Sequence, residues 1–129
     1  MEFLSVIAAA VGTFAFGAVW YIALSKPWIA TSGIATGSDG RPQGGGSAMM
    51  IGFVVLLIVA GMMRHLFAGS GIAALGEGLM AGFGIGAFLI TPWVVMNYAY
   101  GQRSPQLMLI DGAYSTIGCT IMGGILTLF

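Results

Sequence analysis

The sequence predicts an all-α, polytopic membrane protein: four transmembrane helices in a single antiparallel bundle spanning residues 1–129. Three observations carry that reading. Hydrophobic residues make up 58% of the chain, and glycine occupies 22 further positions. Only 6% of residues are charged, against about 25% in soluble domains, which is too few to cover a water-facing surface. Those charges are also spaced so that residues 3–25, 42–63, 78–102 and 112–129 form long uncharged runs.

A helix needs about 20 apolar residues to cross a hydrocarbon core of roughly 30 Å. The first run supplies a span over about residues 3–25. Glu2 stands where a signal peptide would carry Lys or Arg, so this segment reads as a retained span. The second run opens on Pro42, Gly44, Gly45 and Gly46. These residues break helices and move the start of the second span to about 47, with its end near 67. The third span covers 75–100. The fourth run is too short alone and extends upstream past Asp111 to Pro105, a proline suited to a first helical turn, giving 105–128.

Between the first two spans, residues 26–46 form the one sizeable loop. Thr36 to Pro42 reads as turn, and Trp28, Ile29 and Ile34 are placed on the membrane surface. The two short connections imply that spans two and three, and three and four, are antiparallel neighbours. Lys26, Arg41 and Arg103 lie on the loops at one end and Arg64 at the other. Counting basic residues therefore puts those two loops in the cytoplasm and both termini outside.

Net charge is zero, which offers no basic patch for nucleic acid. Cys119 is the single cysteine and His65 the single histidine, so neither a metal site nor haem ligation is supported. The glycines at 82–86 follow no strand and cannot form a nucleotide loop. No cofactor and no enzymatic activity are expected. Pro92 removes a helical N–H and crowds the carbonyl of Phe88, which predicts a kink in span three. Glu77 at the start of that span suits the helix dipole, and Arg64 across the loop is expected to pair with it.

Ala74, Gly78, Gly82 and Gly86 recur at four-residue spacing along span three. In lipid no water drives helices together, so small residues on one stripe matter because they permit close packing. Span one offers Ala9, Thr13 and Gly17; span four offers Gly112, Thr116, Cys119 and Gly123; span two has Gly52 nearly alone. Read as internal packing, the stripes make span three central and span two peripheral. Read as an external seam, they make a homo-oligomer. The spacing does not separate these two readings.

Asn97 and Asp111 are the polar residues nearest the membrane interior, where such groups are costly and point first to function. At 1.5 Å per residue, Asn97 lies about 6 Å from Gly101 and Asp111 about 9 Å from Pro105. Both are therefore shallow and on the same side, flanking the loop that holds Arg103. Asn97 is eleven residues from Gly86, three helical turns, and so shares its packed face. A polar cluster of Asn97, Arg103, Asp111 and Tyr114 between spans three and four follows, with an Asn97–Asp111 hydrogen bond stapling the two helices. A proton or ion relay is the alternative role.

Gly17-x-x-Trp20-Tyr21, Lys26-x-Trp28 and Gly33 resemble the first span and loop of the domain-of-unknown-function 1761 family. The second half is closer, through Asn97, Gly101-x-Arg103, Leu109-Ile110-Asp111-Gly112-x-Tyr114 and Met122-Gly123-Gly124-Ile125-Leu126. The likeness covers nearly all of the chain. It implies a small four-span membrane protein, mostly bacterial, and implies no reaction. The glycine-rich first loop and the terminal Phe129, where a tryptophan is common, depart from the family pattern.

The expected function is accordingly that of a non-enzymatic structural or accessory subunit in the lipid bilayer, self-associating or docked in a larger membrane complex. The alternative is a minimal transporter or channel acting as a homo-oligomer. Small multidrug transporters have similar size and span number but depend on an acidic residue within the first span, and residues 3–25 hold none. A membrane enzyme or pigment carrier would need ligands beyond His65.

Overall fold

A computed structural model describes residues 2–129. The elements are α1 (Glu2–Ala23), α2 (Ser25–Ser32), α3 (Gly45–Ser70), α4 (Leu75–Ile85), a π-helical segment (Gly86–Ile90), α5 (Thr91–Tyr100) and α6 (Pro105–Leu126). No strand occurs among the described residues; an isolated bridge between Thr36 and Pro42 closes the turn in the first long loop. The segments α4, π and α5 continue one another from Leu75 to Tyr100. With α1, α3 and α6 they make four helices long and apolar enough to cross a membrane. That is compatible with a multi-pass membrane protein.

Local chemistry sets the ends. Gly44 and Gly71 flank α3 with φ of 68° and 71°, a left-handed backbone that glycine adopts without steric cost. Ser104 caps α6 by accepting the Leu107 N–H at 3.1 Å, with Pro105 at the first helical position. Glu77 reaches back from the first turn of α4 and accepts the N–H groups of Ala73 and Ala74, each at 3.2 Å.

The helices assemble around α6. It packs against α4, the π segment and α5 on one side and against α1 on the other, while α3 rests mainly on α1. The partners of α6 run antiparallel to it. Along α4 and its continuation, Gly78, Gly82, Gly86 and Thr91 meet Gly123, Cys119, Ser115 and Gly112 in turn. On α1, Thr13 meets Gly118 and Gly17 meets Tyr114. The centre is thus span four, not span three. The reason is that α6 carries small residues on two faces, one met by α4 and one by α1, whereas the stripe on α4 faces one way only. Spans two and three are not packed neighbours either. The loop of residues 71–74 joins α3 to α4, but α1 and α6 lie between most of their length.

The core lies toward the end that holds both termini. Met63 and Phe67 of α3, Met122 and Leu126 of α6, and Ala9 of α1 are buried together there. At the other end α3 is exposed on several sides, at Met49, Met50, Ile51 and Val54, and touches α1 through an edge-on contact of Phe14 with Phe53, centroids 5.6 Å apart. Arg64 does not pair with Glu77. Its guanidinium Nη1 donates instead to the Leu126 carbonyl at 3.0 Å, one of the carbonyls that the end of α6 leaves without a helical partner. Glu77 is already committed to its own helix start.

The disturbance before Pro92 takes the form of the π segment. Here Thr91 N–H bonds back to Gly86, five residues away instead of four. One extra residue is thereby inserted into the rod, and the face of α5 that meets α6 shifts by one position. The residues that meet α6 after Gly86 therefore begin at Thr91, whose hydroxyl donates to the Gly112 carbonyl at 3.1 Å and lies 3.2 Å from the Thr116 hydroxyl.

Candidate functional site

The polar side chains converge at the end of the bundle opposite the termini. Asp111 lies in the second turn of α6, and its carboxylate links three helices. Oδ1 accepts the hydroxyl of Tyr21 from α1 and Oδ2 the hydroxyl of Tyr98 from α5, each at 2.6 Å. Next to it, Trp20 Nε1 donates to the Ile110 carbonyl at 3.1 Å, and the Ser115 hydroxyl donates to the Asp111 carbonyl at 3.0 Å.

Aromatic rings build the wall on the α1 side. Tyr114 stacks on Phe16 with centroids 6.0 Å apart and meets Tyr21 edge-on at 5.2 Å. Gly17 makes room for it, since a methyl group there would lie 2.8 Å from the Tyr114 hydroxyl. Tyr21 in turn meets Trp28 of α2 edge-on at 5.6 Å. Trp28 is thus drawn into the site, and the segment expected to lie as loop on the membrane surface is in part a helix. Its signals are Pro27 in the first turn and Gly33 as a left-handed cap, φ 68°.

Arg103, in the loop between α5 and α6, reaches across to α2 and donates from Nη1 to the Ser32 carbonyl at 2.5 Å. That bond ties the two loops at this end together. Between them lies a partly open cavity of about 170 Å³, lined by Trp28, Ser32, Tyr98, Arg103, Leu107 and Asp111 among others. A larger groove, about 590 Å³, runs along the outer seam of α5 and α6 past Val95 and Met108. It is shallow and almost wholly apolar, and none of the charged residues reaches it.

Of the four residues expected to cluster, Asp111 and Arg103 line this cavity, while Tyr114 lies outside it, packed against Phe16, Gly17 and Tyr21. Asn97 joins neither. It is exposed, and Tyr98 takes the bond to Asp111 in its place. The cause is the extra residue of the π segment: three turns beyond Gly86 fall on residue 98 instead of 97. The participants that sequence reasoning missed are Tyr21, Tyr98 and Ser32. Tyr21 enters the sequence reading only within the Gly17-x-x-Trp20-Tyr21 resemblance, and Tyr98 requires knowing that the helix before Pro92 gains a residue.

The expected packing glycines fall on two contacts. Gly17 lies against Tyr114, while Gly78, Gly82, Gly86, Gly112 and Gly123 all lie in the seam between α6 and the rod of α4, the π segment and α5. A Cβ at Gly78 would lie 2.5 Å from the Gly123 carbonyl oxygen, and one at Gly86 2.6 Å from that of Ser115. At Gly82 and Gly123 the obstacle is likewise the facing backbone, and at Gly112 it is the Thr91 methyl at 2.8 Å. Among the described residues no group of three His, Cys, Asp or Glu side chains is placed to hold a metal ion.

No curated protein and no solved structure matches the chain. A family model does, described as a protein of unknown function, DUF1761, and it matches residues 4–127. Its span takes in every residue of the cluster around Asp111 and of the glycine seam, so the chain belongs to the DUF1761 family.

Proposed function

We propose that this protein is a non-enzymatic accessory or assembly subunit of a membrane complex, or of an oligomer of its own chain. The observation that carries this reading is how its interior polar groups are used. Asp111 bonds Tyr21 and Tyr98, Thr91 bonds the Gly112 carbonyl, and Thr13 donates to the Gly118 carbonyl at 3.3 Å. Each of these bonds ties one helix of the chain to another. Polar groups that serve assembly in this way make a rigid insert with a large apolar perimeter. By the resemblance the setting is bacterial, and the four long apolar helices suit the cytoplasmic membrane. By the positions of Lys26, Arg41 and Arg103 the Asp111 end faces the cytoplasm and the termini face outward.

Gentle extraction followed by intact-complex mass measurement tests the proposal. A mass above that of one chain, with a defined stoichiometry, is the expected result; a lone chain refutes it. The second reading, a minimal transporter, is favoured by one observation: the carboxylate of Asp111 borders an open cavity. It predicts a proton-coupled flux in proteoliposomes that disappears in Asp111→Asn.

A further inference from the structure

The cavity beside Asp111 has a chemistry that the helix-stapling role leaves unused. A carboxylate offers about four acceptor sites, and an arginine five N–H donors. Asp111 spends two of these sites on tyrosine hydroxyls, and Arg103 bonds the Ser32 carbonyl through Nη1. Both side chains line the same space, and between them they present a negative and a positive group to whatever enters. A simple cation drawn to Asp111 would meet Arg103, and a simple anion drawn to Arg103 would meet Asp111. A molecule carrying both charges satisfies both.

The rest of the lining agrees. Trp28 and Tyr98 line it as well, Tyr98 bonded to the Asp111 carboxylate, and aromatic rings attract ammonium groups. Leu107 and Ile34 supply apolar surface. The volume, about 170 Å³, is close to the roughly 150 Å³ of an engineered cavity that holds benzene. That suits a ligand of about six to eight heavy atoms. We propose that this cavity binds a small zwitterion, its ammonium held by Asp111 beside Trp28 and Tyr98 and its carboxylate held by Arg103. The site is independent of the accessory role, since a ligand bound there need not cross the membrane.

Calorimetric titration of the full chain in lipid nanodiscs tests this. The probes are β-alanine, 4-aminobutyrate and 5-aminopentanoate, which differ in charge separation, with n-butylamine and butyrate as single-charge controls. At least one amino acid is expected to saturate the site at least tenfold more tightly than either control. Arg103→Gln should erase the advantage over butylamine, and Asp111→Asn the advantage over butyrate. Should Asp111→Asn loosen the bundle, Arg103→Gln carries the test, because that side chain is exposed and its one bond, to the Ser32 carbonyl, is not among the contacts that join the four spans. The proposal is overturned by the absence of saturable heat from all three amino acids, by butylamine binding equally well, or by Arg103→Gln keeping the tenfold preference.

Discussion

Replacing Gly82 with alanine is the sharpest test of the seam between α4 and α6. A methyl group there would overlap the Cys119 carbonyl oxygen and come within 2.9 Å of its carbon and 3.1 Å of Thr120 Cα. All three obstacles are backbone, so no side-chain rotation relieves the clash and the two helices must move apart. Such a movement also loosens the contacts at Gly78 and Gly86, one turn to either side. Overpacking costs typically 1–3 kcal/mol, and a clash with backbone belongs at the upper end, so a loss of about 2–3 kcal/mol is expected. Gly84 lies two residues along the same helix and Gly52 lies on α3, and a Cβ at either meets open space. There alanine gains about 0.8–1 kcal/mol of helix propensity over glycine. Because Gly82→Ala gains the same propensity, the gap between it and either control is the overpacking term alone, about 2–3 kcal/mol. Reversible unfolding in bicelles by steric trapping or by denaturing detergent measures it. Losses at positions 82 and 84 within about 0.5 kcal/mol of each other would refute the close approach of α4 and α6.

The Asp111 cluster makes its own predictions. Tyr21→Phe and Tyr98→Phe should each cost about 0.6–1.7 kcal/mol, the average and upper values for interhelical hydrogen bonds in membranes, whereas Asn97→Leu should stay within about 0.5 kcal/mol; the same unfolding assay ranks them. In the Tyr98→Phe/Asp111→Asn pair, the double variant should lose less than the sum of the singles, and strict additivity would count against the bond. Arg64→Met should be neutral or stabilising, because Nε of Arg64 is buried without a partner and a buried unpaired donor is expensive; a loss beyond about 1 kcal/mol would show the Leu126 carbonyl bond to matter more. A cysteine at position 39, in a Cys119→Ala background, should resist an impermeant reagent applied from outside; strong labelling would reverse the assigned orientation.

The parts of this fold that could be read from the sequence are those that depend on composition and on regular helical spacing. Long uncharged runs mark spans whatever their neighbours do, and glycines four apart mark a close contact. What the spacing could not say was which contact. The stripe on α4 suggested a hub, but α6 is the hub, because Gly118 on its α1 side falls outside the stripe of Gly112, Cys119 and Gly123. A one-face count overlooks it. The exchange of Asn97 for Tyr98 has a different origin. Counting three turns from Gly86 assumes 3.6 residues per turn, and the π segment breaks that assumption by one residue. Pro92 was the visible warning: a proline that cannot donate invites either a bend or an added residue, and the two outcomes rotate everything downstream differently. A bend would have kept Asn97 facing Asp111. The added residue faces Tyr98 there instead, and it is this exchange that gives Asp111 a hydroxyl partner on both oxygens. The site therefore depends on a register set at least seven residues upstream of Tyr98, where neither tyrosine nor carboxylate is present to signal it.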